Sequence, residues 1–251
     1  MDQMARKNLS WTPRGDTALL WEFLPSDHSR QTHSFGQAVA VLKRYPVAET
    51  PVRVLDLGCG TGSSFERFKG DSRPISWIGI DIAESQEVNA RVVKGYPLCT
   101  YDGMSLPLKS GAIDLVYSHQ VFEHVRKPEL LLSEVQRVLK NGGCFVGSTS
   151  HLEPYHSRSY WNFTPYGFCS LLKAAGFSSI VVRPGIDGFS LLLRRLLALA
   201  KLSGLLEPFF IRESPLNVSL EASLRLLRTD VRKRNAVKLL FAGQFCFGAV
   251  K

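Results

Sequence analysis

Residues 54–62 read Val-Leu-Asp-Leu-Gly-Cys-Gly-Thr-Gly. The short apolar run Val52–Leu57 stops on a loop with glycine at 58, 60 and 62. A helical pattern, Thr61–Lys69, follows. An apolar run of this length, ended by glycines, reads as a buried strand. Glycine lets the next turn bend sharply and lets the backbone come close to a ligand. Strand, glycine turn and helix together open a nucleotide-binding α/β unit.

The rest of the chain keeps that alternation. Residues 34–44 read as a helix leading to the first strand. Further strands are expected at Ser76–Asp81, Tyr96–Tyr101, Ala112–Ser118, Cys144–Ser150, Ser178–Pro184 and Leu240–Val250. Helices are expected at Lys127–Lys140, stopped by Asn141-Gly142-Gly143, and at Pro165–Ala175, stopped by Gly176. Alternating strands and helices imply a mainly parallel sheet covered on both faces. Ligands of such sheets bind beyond the carboxyl ends of the strands. The chain's candidate site motifs all fall at one of those ends.

The loop spacing is Gly-x-Gly-x-Gly, with Ser63 where a dinucleotide fingerprint has its last glycine. Asp56 stands just before the loop. A carboxylate there suits a ligand with a positive amino group and is badly placed beside a pyrophosphate. That favours S-adenosylmethionine over NAD; a tight turn without a ligand is the alternative. Cys59 lies inside the same loop. Asp81 ends the second strand, next to Ile82, where a carboxylate can accept hydrogen bonds from ribose hydroxyls. It can equally cap a helix starting near Glu84. In Asp102-Gly103-Met104, Asp102 can accept from an adenine amino group while the Met104 amide donates to the ring; a plain Asp-Gly turn competes.

With these residues in hand, the chain resembles the class I S-adenosylmethionine-dependent methyltransferases, in particular those acting on small molecules and glycans. The resemblance rests on Val54–Gly62, Gly79-Ile80-Asp81, Asp102 with Leu106-Pro107, and Asp114-Leu115-Val116. Glu123-His124 and Arg137-Val138-Leu139-Lys140-Asn141-Gly142-Gly143 also match. It covers roughly residues 50–180 and the last strand. It implies a Rossmann-like α/β fold: a seven-stranded, mostly parallel sheet whose last strand is antiparallel. Asn141 departs from the proline more usual there. Four regions are expected: a helical lead-in (1–50, with Pro13, Gly15, Pro25 and Pro46), a cofactor-binding core (51–184), a helical insertion (185–238) and the final strand (239–251).

Methyl transfer requires an aligned nucleophile that loses its proton by the time it attacks. Ser118 and His119, with Gln120, lie just past the fourth strand, where cofactor and acceptor should meet. The Asn/Asp-Pro-Pro-aromatic motif of some amino-group methyltransferases is absent there. Asn162-Phe163-Thr164-Pro165 is only superficially similar and reads as a loop into a helix. Glu123-His124 is a candidate base and orienter, since histidine titrates near neutrality; a packed structural histidine is the alternative. The loop His151-Leu152-Glu153-Pro154-Tyr155-His156, followed by Tyr160-Trp161-Asn162-Phe163, offers His151 and His156 for a hydroxyl and aromatic faces for a sugar or ring. An ordinary packed loop is the competing reading. No metal-ligand spacing is present, and no metal is expected.

Residues 189–206 hold nine leucines with Arg194, Arg195 and Lys201. As a helix, Asp187, Ser190, Arg194 and Lys201 share one face, and Leu192, Leu196, Leu199 and Leu206 another. This segment is either a helical cap on the core or a peripheral membrane helix serving a lipid-linked acceptor. The chain's net charge is +9. Residues 189–238 carry ten Lys/Arg against four Asp/Glu, so much of that excess lies outside the cofactor motifs. Arg232-Lys233-Arg234 adds to it, but no RNA-binding module accompanies the core, so nucleic acid is not the expected partner. The five cysteines are widely spaced with no Cys-x-x-Cys, which argues against zinc or disulfide frameworks and for reduced thiols in the cytoplasm. The first residues do not read as a secretory signal. The expected activity is O-methylation of a small-molecule, sugar or lipid-linked acceptor. RNA or protein methylation and NAD-dependent oxidoreduction are the alternatives.

Overall fold

The computed structural model describes residues 16–27, 34–45, 50–91, 95–210 and 212–251. The expectations placed on Pro13, Gly15 and Pro46 lie outside these residues.

Seven strands form one sheet: β1 (Val52–Leu57), β2 (Ile75–Ile82), β3 (Leu98–Tyr101), β4 (Ile113–His119), β5 (Leu139–Ser150), β6 (Ser178–Pro184) and β7 (Gln244–Val250). Their order is β3-β2-β1-β4-β5-β7-β6. β1 to β5 run parallel, while β7 lies antiparallel between β5 and β6. The expected fold class is therefore found, with its antiparallel last strand. The order reverses between β1 and β4, which opens a crevice at the carboxyl edge of those strands.

Period-2 alternation sends β1 side chains to two cores. Val52 and Val54 join Leu115, Tyr117, Cys144, Val146 and Phe68 on one face. Leu55 and Leu57 join Val116, Phe145, Phe168, Phe245 and Phe247 on the other. Helices α2 (Ser34–Leu42) and α3 (Ser64–Lys69) cover the first face. The second is covered by α1 (Asp16–Leu20), α5 (Pro128–Val138), α6 (Pro165–Ala174) and the end of α9 (Val231–Leu240). The short α4 (Gln86–Asn89) follows β2, capped by Ser85, whose Oγ accepts from the Val88 amide. Between β6 and α9 come α7 (Gly188–Leu199), the 3-10 segment Ser203–Phe210 and α8 (Pro215–Leu226).

Several boundaries differ from expectation. α3 starts at Ser64 rather than Thr61, because Gly62 takes φ +84° and its amide closes a turn on Cys59 O. β3 starts at Leu98, since Pro97 has no amide to give a ladder. α5 ends at Val138. Leu139 turns extended and starts β5, so Asn141-Gly142-Gly143 lies within the strand rather than stopping the helix. β7 starts at Gln244, because α9 runs through Leu240. Thr164 caps α6, its Oγ1 accepting from the Gly167 amide, as a loop-to-helix junction requires.

Candidate active site

The carboxyl ends of β1, β2, β3, β4 and β5 lie on one edge of the sheet. The register sets Asp56 beside Gly79 and Tyr117, Leu57 beside Ser118, and Asp81 beside Thr100. Candidate residues from distant parts of the chain are thereby collected along one crevice.

The loop after β1 is pinned to β2. The Gly58 and Cys59 amides both donate to Ile80 O, at 2.8 and 3.2 Å. Gly58, Gly60 and Gly62 all have positive φ. At Gly58 the requirement is also spatial: a Cβ would lie 2.2 Å from Val121 Cγ2. Asp81 stabilises the loop from the next strand, Oδ2 accepting from the Gly60 amide at 2.6 Å and Oδ1 from the Ile82 amide at 2.7 Å. Arg91 closes the loop's other side, donating to Gly60 O at 2.8 Å and reaching Cys59 Sγ at 3.3 Å. Arg91 carries no motif signal in the sequence, since it sits 31 residues from its partner glycine.

Asp56 lies beneath this loop and is almost fully buried. Ser64 Oγ donates to its Oδ2, and Trp77 Nε1 donates to Ser64 Oγ at 3.1 Å. Burial, aided by the nearby Asp81 charge, pushes the Asp56 carboxyl up to about 7. Burial likewise raises Asp81 above the usual carboxylate range. The Cys59 thiol is pushed up to about 12 by burial and the Asp56 charge, which makes it a packing residue rather than a nucleophile.

At the tip of β3, Asp102 Oδ1 accepts from its own turn, from the Met104 amide at 2.8 Å and the Ser105 amide at 2.7 Å. These bonds hold Asp102 ionised below its ordinary range. The Met104 amide is thus spent on Asp102 instead of standing free for a ring nitrogen. Exposed Ile82 and Met104 flank the turn with apolar surface, and Gly103 lies between them in the left-handed region.

Past β4, Ser118 Oγ is buried without a hydrogen-bond partner. His119 Nδ1 stands 2.7 Å from Ser148 Oγ and 2.9 Å from Ser34 Oγ, so α2 and β5 hold that ring together. Gln120 has φ +54° and turns the chain into the 3-10 segment Phe122–His124. There Glu123 is wholly buried: Oε2 accepts from Thr149 Oγ1 at 2.9 Å, and Ser150 Oγ stands 3.2 Å from Oε1. With its amide nitrogen turned to the carboxylates, Gln120 donates to Glu123 Oε1 at 2.9 Å and Glu153 Oε2 at 3.3 Å. Burial, reinforced by the Glu153 charge, pushes Glu123 up to about 7.

The loop after β5 closes over this group. His156 meets His124 edge to face, ring centres 5.3 Å apart. Burial pulls His124 below its ordinary range, so the neutral ring is favoured at pH 7. His151 is held elsewhere. Its Nδ1 lies 2.9 Å from Phe163 O, and its ring packs near the core residue Phe245. Two of the three candidate histidines therefore meet. Glu153, a central member of the cluster, was not singled out by sequence; its role depends on Ser150 and Gln244, which donate to its Oε2 at 2.7 and 2.9 Å.

Residues 55–147 match the family model described as a methyltransferase domain. The chain is 30% identical over 103 residues to a malonyl-[acyl-carrier protein] O-methyltransferase of Legionella pneumophila, covering 39% of this chain and 36% of that protein. It is 30% identical over 138 residues to a probable S-adenosylmethionine-dependent methyltransferase of Mycolicibacterium smegmatis, covering 49% and 51%. The matches thus span about half or less of these relatives' lengths. Among solved structures, a SAM-dependent methyltransferase from Archaeoglobus fulgidus shares the fold with TM-score 0.53 and 19% identity, over 86% of this chain and 94% of that one. Phosphoethanolamine N-methyltransferase 2 of Haemonchus contortus does so with TM-score 0.53 and 20% identity, over 97% and 59%.

Proposed function

We propose that this chain is an S-adenosylmethionine-dependent methyltransferase: residues 55–147 match the methyltransferase-domain model, and the chain shares its fold with a SAM-dependent methyltransferase. The carrying observation is Asp56, a buried acid beneath a left-handed glycine loop with no lysine or arginine ion pair among the described residues. Bound S-adenosylmethionine supplies a methyl group on a cationic sulfonium. Asp56 and the Gly58–Gly62 loop receive the amino acid end, because the carboxylate matches its ammonium group. Asp81 retains lone pairs for ribose hydroxyls, and Asp102 Oδ2 for an adenine amino group. Ile82 and Met104 cover the ring, while Ser118 and His119 border the methyl group. These assignments disfavour NAD, whose pyrophosphate would meet Asp56.

The acceptor is a small molecule, sugar or lipid-linked group methylated on oxygen. The Glu123–His124–His156 cluster supports a hydroxyl acceptor, since a half-buried neutral histidine can take its proton. Exposed Tyr155, Tyr160 and Trp161 on the adjoining loop offer flat apolar faces. A similar protein named for O-methylation agrees with an oxygen acceptor. A cytoplasmic protein docking on a membrane surface through 189–206 fits the exposed leucines of α7.

Titration calorimetry with S-adenosylhomocysteine tests the cofactor reading. Saturable binding at one site, weakened by Asp56→Asn, is expected. Absence of binding would overturn the enzymatic reading. Incubation of cell extracts with a labelled methyl donor then identifies the acceptor; label in RNA or protein alone would replace the small-molecule reading.

A further inference from the structure

The cluster beyond β4 and β5 has a feature that proton transfer alone does not explain. Glu123, His124 and His156 each bring one ligand-type atom into a group whose members all lie within 4.8 Å of one another. One carboxylate and two imidazoles make the three-protein-ligand set of open zinc sites. His124 Nδ1 is buried with no hydrogen-bond partner. A buried polar atom left unpaired is costly, and a cation would satisfy it.

The surrounding contacts point the same way. His156 Nδ1 lies 3.3 Å from Pro154 O and 3.7 Å from Glu153 Oε1. A carbonyl oxygen only accepts, so Nδ1 carries the proton and Nε2 keeps its lone pair. A carboxylate or carbonyl on the far nitrogen is the usual arrangement that orients a metal-bound histidine. The Thr149 hydroxyl and the Gln120 amide hold the Glu123 carboxylate in the same supporting way. Metal–nitrogen bonds of about 2.0–2.1 Å need ligand atoms roughly 3.4 Å apart in a tetrahedron. Rotation of His156, on a loop rather than a strand, would close the remaining gap. The sequence shows no metal-ligand spacing because the third ligand arrives by folding, 32 positions after His124.

We propose that Glu123, His124 and His156 bind one divalent cation of the zinc class, with Glu153 as a positioning residue for His156. The binding site stands independently of the methyltransferase reading; only its use rests on it. In that use the open coordination position takes an acceptor hydroxyl and lowers its pKa, in place of proton uptake by either histidine.

The test uses the full chain, stripped with chelator and titrated with cobalt(II), whose visible bands report coordination. One equivalent should bind per chain, and zinc should displace it. His124→Ala and His156→Gln should each lower cobalt affinity at least about 10-fold, and Glu153→Gln about 10-fold or more. His151→Ala should bind as the unaltered protein does. Circular dichroism on the same samples reports folding, and S-adenosylhomocysteine affinity reports the cofactor reading separately. Lost cobalt binding with cofactor binding retained supports the site. No cobalt binding by the unaltered protein, or unchanged binding in a His124→Ala/His156→Gln double variant, overturns it whatever the cofactor does.

Discussion

Asp56 places a proton where the cofactor's charge is proposed to sit. Its folded-state pKa is raised to about 7 from 3.8, so between those values the folded chain holds a proton that the unfolded chain has released. Stability of the ligand-free protein therefore falls as pH rises through that window, by at most about 4 kcal/mol from this residue. Glu123 acts with the same sign. Urea unfolding at pH 5 and pH 8 should show the weaker protein at pH 8, and Asp56→Asn should flatten part of the difference. Ligand binding runs the other way. A cationic ammonium needs the ionised carboxylate, so S-adenosylmethionine affinity should rise between pH 6 and pH 8. At pH 8 the Asp56→Asn variant should bind about 10- to 100-fold more weakly, the loss of one charge-assisted hydrogen bond; calorimetry reads both effects. Asp56, Asp81 and the glycines were legible in the sequence because strand ends position them. Arg91 and Glu153 were not, because their partners come from other elements and only packing brings them together.

At the level of the element, the β1–α3 turn tolerates little change. Gly58→Ala would combine φ +73° with a Cβ 2.2 Å from Val121. Destabilisation of about 1–3 kcal/mol and loss of S-adenosylhomocysteine binding are expected, by thermal unfolding and calorimetry. Trimming Val121 to Ala relieves only the contact, so the double variant should recover part of the stability and little of the affinity. Helix α7 keeps the expected leucine face but ends at Leu199, so Lys201 and Leu206 lie beyond it. A core-facing cap is the usual destination of such a stripe. Instead Leu192, Leu196 and Leu199 are exposed, 50%, 57% and 86% respectively, while Leu191, Asp187 and Ser190 are buried. The polar start of the helix is drawn inward because Asp187 caps it, Oδ1 accepting from the Ser190 amide at 2.7 Å and Oδ2 from Ser190 Oγ at 2.9 Å. Gly243 leaves no room beneath it: a Cβ there would sit 2.4 Å from Leu191 Cδ1. Asp187→Ala should cost about 1–2 kcal/mol in a denaturant titration. Strand existence was legible from period and glycine stops, and the antiparallel last strand from the resemblance, whereas boundaries at Leu139 and Gln244 turned on where neighbouring helices ended.

Across the whole molecule, apolar exposure and charge coincide. Phe189, Leu192, Leu196, Leu199, Leu202 and Leu205 are exposed, with Arg195 and Lys201 among them, on a chain of net charge +9. No helix among the described residues is long and apolar enough to cross a membrane. An anionic lipid surface fits such a face. The chain should pellet with anionic vesicles and less with zwitterionic ones. Leu192→Gln/Leu196→Gln/Leu199→Gln should lose that pelleting while keeping its cofactor affinity; equal pelleting of both proteins would remove the membrane reading. The sheet's order also governs how the chain can assemble. β6 touches no strand except β7, and β7 enters between β5 and β6 only after residues 188–240 have been made. During synthesis, then, the growing chain carries β5 with a raw, hydrogen-bond-hungry border until Gln244–Val250 emerge and zip it shut. A ribosome stalled before Gln244 would hold a cofactor-side half already paired and a far half still waiting for its keystone.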